Sequence, residues 1–197
     1  NTSLIALFML ITILGFRYWI LALLVCAIGI ILAVLSFKQN LIYHYSLYYS
    51  TLLPYGIQNF VGRDEEVQKV SKIIQYNDAV KHVMFIGPPG IGKSTLAIHV
   101  AHKCMEFGFI VYYVNMDEVK NISGMSQQIL MYAEISPTDH DVKKWARHLS
   151  YPVVLMLDNC DSVIDESFAF RDFISNTLDY SKNLKFITTS REAMNFL

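Results

Sequence analysis

Residues 87–95 run Gly-Pro-Pro-Gly-Ile-Gly-Lys-Ser-Thr, and no other stretch limits the fold of this chain as tightly. Glycines at 87, 90 and 92 let the backbone curl and aim several N–H groups at one centre, a concavity that takes an anion. Before the loop, His82-Val83-Met84-Phe85-Ile86 is an apolar run of strand length. After it, Leu96, Ala97, Val100, Ala101 and Cys104 recur at helical spacing. A helix that starts at the loop's end turns its free N–H groups and positive dipole end towards the same anion. The spacing G-x-x-x-x-G-K-[ST] is met without departure. Gly87, Pro88, Pro89, Gly90, Ile91, Gly92, Lys93, Ser94 and Thr95 are therefore the candidate phosphate-binding residues. Lys93 supplies charge for the β- and γ-phosphates, and the Ser94 hydroxyl is a candidate Mg²⁺ ligand. The expected ligands are ATP or ADP with Mg²⁺.

A second run, Val153-Val154-Leu155-Met156-Leu157, is apolar at every position and ends in Asp158. Continuous apolar character suits a central parallel strand, and ligands in such sheets bind at the carboxyl ends. Asp158 is the second candidate Mg²⁺ ligand. Hydrolysis needs a base or a water-orienting group near the γ-phosphate. The next residue, Asn159, cannot take a proton; Asp161 is the candidate that compensates, and slow hydrolysis is the alternative. Leu184-Lys185-Phe186-Ile187 is a further strand, followed by Thr188-Thr189-Ser190-Arg191. Hydroxyls and a guanidinium at a strand's carboxyl end are placed to sense a γ-phosphate, which the planar arginine fork suits.

Strands at about 82–86, 110–114, 153–157 and 184–188, with helices between, predict a three-layer α/β fold with a central parallel sheet. Ahead of the first strand, Asp64 is a candidate N-cap, with acids in the first turn of an amphipathic helix carrying Val67, Val70, Ile73 and Ile74. His99, His102 and Cys104 lack an evident fourth ligand for zinc.

The N-terminal quarter is a different kind of sequence. Hydrophobic residues make up 53% of the chain, and the excess is concentrated there. Before Asp64 there is no carboxylate, and the 20 residues Tyr18–Phe37 carry no charge. A helix of that length spans about 30 Å, the thickness of a hydrocarbon core. Residues 1–38 therefore form a hydrophobic segment with a candidate transmembrane helix over 18–37; residues 39–57 form a tyrosine-rich linker, and residues 58–197 the globular domain. One span, a tight hairpin that also uses the apolar residues 4–16, and a signal peptide are three arrangements that stay open. Lys38 weakly places the domain on the cytoplasmic side. Net charge of −1 sets up no global attraction to nucleic acid. Cys26, Cys104 and Cys160 are widely spaced, which speaks against a disulfide framework.

Together Phe60-Val61-Gly62-Arg63, the glycine-rich loop, the strand ending in Asp158 and the Thr-Thr-Ser-Arg segment resemble the NB-ARC branch of the STAND class of P-loop NTPases, over residues 58–197. The resemblance implies that Val61 and Arg63 help hold the adenine and nucleotide. It also implies that Arg191 reads the γ-phosphate, and that ADP holds a closed form which exchange for ATP opens for homo-oligomerisation or signalling partners. Two other readings stay open, an AAA+-type ATPase with active turnover, against which Asn159 argues, and a membrane-anchored interaction module whose nucleotide is structural. Two departures bear on autonomous switching. The chain stops before the helical, winged-helix and repeat modules of that family, as expected of a fragment, and it carries an apolar segment where an effector domain is usual.

Overall fold

The computed structural model describes residues 15, 18–37, 53–56, 60–133, 141–164 and 167–193. The chain divides into two compact units, Asn1–Leu41 and Ile42–Leu197. The first contains helix α1, Tyr18–Phe37, whose residues are all exposed. It is long and apolar enough to cross a membrane, a property it shares with signal sequences.

The second unit is a four-stranded, all-parallel sheet in the order β1-β4-β3-β2, formed by β1 (His82–Ile86), β2 (Ile110–Asn115), β3 (Val153–Asp158) and β4 (Leu184–Ser190). Two helices cover one face: α2 (Asp64–Tyr76) and α3 (Lys93–Glu106). The opposite face carries α4 (Ile122–Tyr132), α5 (Val142–Arg147) and α7 (Ser167–Asp179), with the short α6 (Asp161–Ile164) at the end of β3. This is the expected three-layer arrangement, and the period of two along β3 shows why. Val153, Leu155 and Leu157 pack into the core under α4, α5 and α7, while Val154 and Met156 pack under α2 and α3. Every residue of β3 is buried, so the strand has no polar face.

Helix α3 positions the loop. Its N-cap, Gly92, has φ 87°, a left-handed conformation that costs glycine nothing. Leu96, Ala97, Val100, Ala101 and Cys104 form its buried stripe against the sheet, and burial pushes the Cys104 thiol up to about 12. The helix stops in a Schellman arrangement at Gly108 (φ 86°): the Gly108 N–H donates to Met105 O (2.9 Å) and the Phe109 N–H to Cys104 O (3.1 Å). Buried Phe109 then leads directly into β2.

Three boundaries differ from expectation. Arg63, not Asp64, is the N-cap of α2; Asp64, Glu65 and Glu66 fill the first turn, where the dipole favours acids. Strand β4 continues through Ser190, because Phe85 and Ile86 pair with Thr189 and Ser190, so the hydroxyls belong to the buried strand. Packing also starts before residue 58: Leu53 is buried against the α3 side, and His102 Nε2 lies 3.0 Å from Pro54 O.

Candidate nucleotide site

The parallel register brings the carboxyl ends of all four strands to one edge, where a cleft of about 410 Å³ opens. Pro89, Gly90, Gly92, Lys93, Ser94 and Thr95 line one side, and Asp117, Asn159, Asp161 and Arg191 the other. The sheet thus brings the loop, the region after β3 and the end of β4 together, as the motif spacing predicts. Lys93 Nζ donates to Pro88 O at 3.1 Å, which folds the ammonium over its own loop.

Asp158, almost fully buried, sits at the end of β3 with both oxygens engaged. Thr189 donates to Oδ1 at 2.5 Å and the Tyr113 hydroxyl to Oδ2 at 3.2 Å. Each carboxylate oxygen accepts more than one bond, so the group retains capacity for a hard cation. An all-oxygen donor set with one or two carboxylates, a hydroxyl and phosphate is what Mg²⁺ takes, and Ser94 with Asp158 fits that chemistry. Among the described residues no group of three or more His, Cys, Asp or Glu forms a protein-only metal cage.

Past Asp158 the chain turns through Asn159 in a left-handed conformation, φ 61°. The turn is pinned to β4: the Asn159 N–H donates to Thr189 Oγ1 (2.9 Å) and the Cys160 N–H to Thr189 O (2.9 Å). One threonine therefore orients the buried carboxylate and anchors the turn after it. Asp161, the candidate base, has its carboxylate occupied. Oδ1 accepts from the Ser190 hydroxyl (3.0 Å) and the Arg191 N–H (2.6 Å), and Oδ2 pairs with Arg191 Nε (3.1 Å).

Arg63 reaches the loop, its Nη1 lying 3.5 Å from Ile91 O, and it borders a neighbouring cavity of about 380 Å³ lined by Val70, Ile73, Phe85 and Leu96. Val61 is 86% exposed and, like Asp158, is not among the residues lining these two cavities. Thr188 is not aimed at the cleft; its hydroxyl lies 2.8 Å from His82 Nε2. Burial pushes the His82 imidazole down to about 4. Two site residues escape sequence reasoning. Asp117 follows β2, and the rule that ligands meet strand carboxyl ends points to it once β2 is placed in the sheet. Tyr113 has no local signal at all.

The glycine-rich loop between strand and helix, with a buried aspartate on a central parallel strand, defines a nucleotide-binding P-loop NTPase. Residues 65–150 match the family model described as novel STAND NTPase 3. Among curated proteins, the chain is 43% identical over 51 residues to the Holliday junction branch migration complex subunit RuvB of Neorickettsia sennetsu, covering 24% of this chain and 15% of that protein. It is 25% identical over 143 residues to replication factor C subunit 4 of Arabidopsis thaliana, covering 68% of this chain and 39% of that one. The chain thus spans well under half the length of these relatives. The crystal structure of Cdc6p from Pyrobaculum aerophilum aligns with a TM-score of 0.47 at 15% identity, over 73% of this chain and 42% of that one.

Proposed function

We propose that this domain is a switch of the NB-ARC/STAND type that binds ADP and ATP with Mg²⁺, hydrolyses slowly, and passes its nucleotide state to a homo-oligomer or signalling partner. The observation that carries this is the composition of the cleft wall facing the P-loop. At the two positions that follow the Mg²⁺ aspartate it offers an asparagine at 159 and an aspartate at 161 whose oxygens already accept from three donors, and the other carboxylate on that wall, Asp117, follows β2 and accepts from Asn115 Nδ2. Loop amides and Lys93 hold the phosphates, Ser94 and Asp158 hold Mg²⁺, and Arg191 reads the γ-phosphate; Arg63 lies on the base side of the loop. Mg²⁺ supplies charge neutralisation between β- and γ-phosphates when bound. The match to the STAND model over residues 65–150 supports the class. Helix α1 holds the domain at a membrane, with the domain on the cytoplasmic face. Nucleic acid is not the expected partner of a chain with net charge −1.

The similarity to RuvB and replication factor C favours a second reading, an AAA+-type ATPase with sustained turnover. Steady-state phosphate release and nucleotide affinity separate the two. For the switch, turnover stays well below the roughly 1 s⁻¹ floor typical of active enzymes, while both nucleotides bind. Lys93→Ala weakens both nucleotides by at least about tenfold, loss of a charge-assisted phosphate contact being worth that much. Unchanged affinity in Lys93→Ala removes the site, and fast turnover in the unaltered protein removes the switch.

A further inference from the structure

We propose that Asp161 is a positioning residue for Arg191, and that this pair sets how strongly the cleft distinguishes a nucleoside triphosphate from a diphosphate. The inference rests on Arg191 reading the γ-phosphate and adds the residue that makes this effective. The Asp161 carboxylate grips Arg191 twice, at the backbone N–H (2.6 Å) and at side-chain Nε (3.1 Å), and takes the Ser190 hydroxyl as well (3.0 Å). Holding Nε leaves both Nη groups of the guanidinium, the pair that forks onto two oxygens of one phosphate. The Arg191 side chain is 63% exposed, so without the carboxylate its long stem would sample many rotamers and forfeit that orientation on binding. Both residues line the cleft that contains Lys93 and Ser94.

The carboxylate is itself held in place. The turn that presents it is bonded to Thr189 at two points, and Ser162, the next residue, donates its hydroxyl to Val119 O at 2.6 Å. Asp161 therefore has a fixed position relative to the end of β4. Its hydrogen bonds are those of an arginine holder, which gives it a different assignment from that of a base.

The test is a double-mutant cycle on the full chain, with Mg²⁺·ADP and a slowly hydrolysed Mg²⁺·ATP analogue titrated by calorimetry. Asp161→Asn retains an oxygen acceptor but removes the charge. We expect the triphosphate-to-diphosphate affinity ratio to fall about tenfold in Asp161→Asn and in Arg191→Ala, with the double variant no worse than Arg191→Ala alone, as for two residues acting as one unit. Diphosphate affinity stays constant throughout. An unchanged or increased ratio in Asp161→Asn, or additive losses in the double variant, overturns the proposal. If Arg191→Ala leaves the ratio unchanged, the γ-phosphate reading beneath it fails instead. A base at 161 would show the opposite split: normal affinities and lost turnover. Should Asp161→Asn not fold, Arg191→Lys removes the held Nε while keeping charge, and the same drop is expected; an unaltered ratio there refutes the positioning role.

Discussion

At the scale of single residues, some inward-facing polar groups serve the nucleotide edge and others serve only the fold. His82 belongs to the second kind. Its ring lies between Thr188, 2.8 Å from Nε2, and the edge of Phe186, and burial holds it neutral down to about pH 4. A histidine whose folded pKa is depressed from 6.5 contributes stability that is complete above 6.5 and is lost as pH falls towards 4. The shift corresponds to roughly 3 kcal/mol. His82→Gln keeps hydrogen-bonding capacity but cannot charge. Urea unfolding followed from pH 7 to pH 4 should show the unaltered protein losing stability faster than the variant, and parallel curves would refute the assignment. The same scale shows what the sequence made legible. The loop residues 87–95 carry their chemistry contiguously, so their roles could be assigned before any fold was known. Tyr113 and Asp158 meet only because β2 and β3 pair in parallel with Asn115 opposite Asp158, and no local pattern announces a contact 45 residues apart. Asp161 was legible as an acid near the site. What occupies its oxygens is set by the end of β4, and so was not.

At the scale of elements, α2 shows how a helix is fixed from outside itself. Its last turn contains no basic residue to complement the dipole. The cation comes instead from the middle of the sheet: buried Lys185 on β4 donates to Ile74 O and, at 3.0 Å, to Asn77 O. A lysine in the strand Leu184–Ser190 breaks an otherwise apolar or hydroxylic pattern, and in sequence it is indistinguishable from an edge position facing solvent. Its purpose becomes visible only once α2 lies across that face. Lys185→Met keeps the stem and removes the charge, depriving Ile74 O of the ammonium and leaving Asn77 O with the Val80 N–H. We expect a loss of about 1–3 kcal/mol in unfolding free energy, with faster amide exchange concentrated in the last turn of α2. An unchanged midpoint would mean that water replaces the ammonium without cost. The strand boundaries illustrate a related limit. The apolar run that signals β4 ends at Ile187, yet Thr188, Thr189 and Ser190 remain in the ladder, because β1 continues beside them.

For the whole molecule, the two units distribute their apolar surface in opposite ways. In Ile42–Leu197, apolar side chains face inward from both sides of the sheet, and polar groups gather at one edge. In α1 the reverse holds: Leu21, Leu23, Leu24, Val25, Ile28, Ile30 and Ile31 are each more than half exposed, with no charged residue among them. A soluble protein rarely exposes a contiguous apolar surface larger than a few hundred Å², and a 20-residue apolar cylinder far exceeds that. Water makes such a surface costly at about 25 cal/mol per Å², whereas a hydrocarbon core removes the cost and satisfies the helix, whose backbone bonds are internal. The full chain should therefore float with neutral phosphatidylcholine vesicles and resist extraction at high pH. A variant with Leu24, Ile28 and Ile31 all changed to Lys should partition into the aqueous phase, because charges at mid-helix cost roughly 3 kcal/mol each on insertion. Neutral vesicles exclude simple attraction of Lys38 to anionic headgroups. A full chain that stays monodisperse and vesicle-free without detergent would show that α1 finds its apolar partner in protein instead.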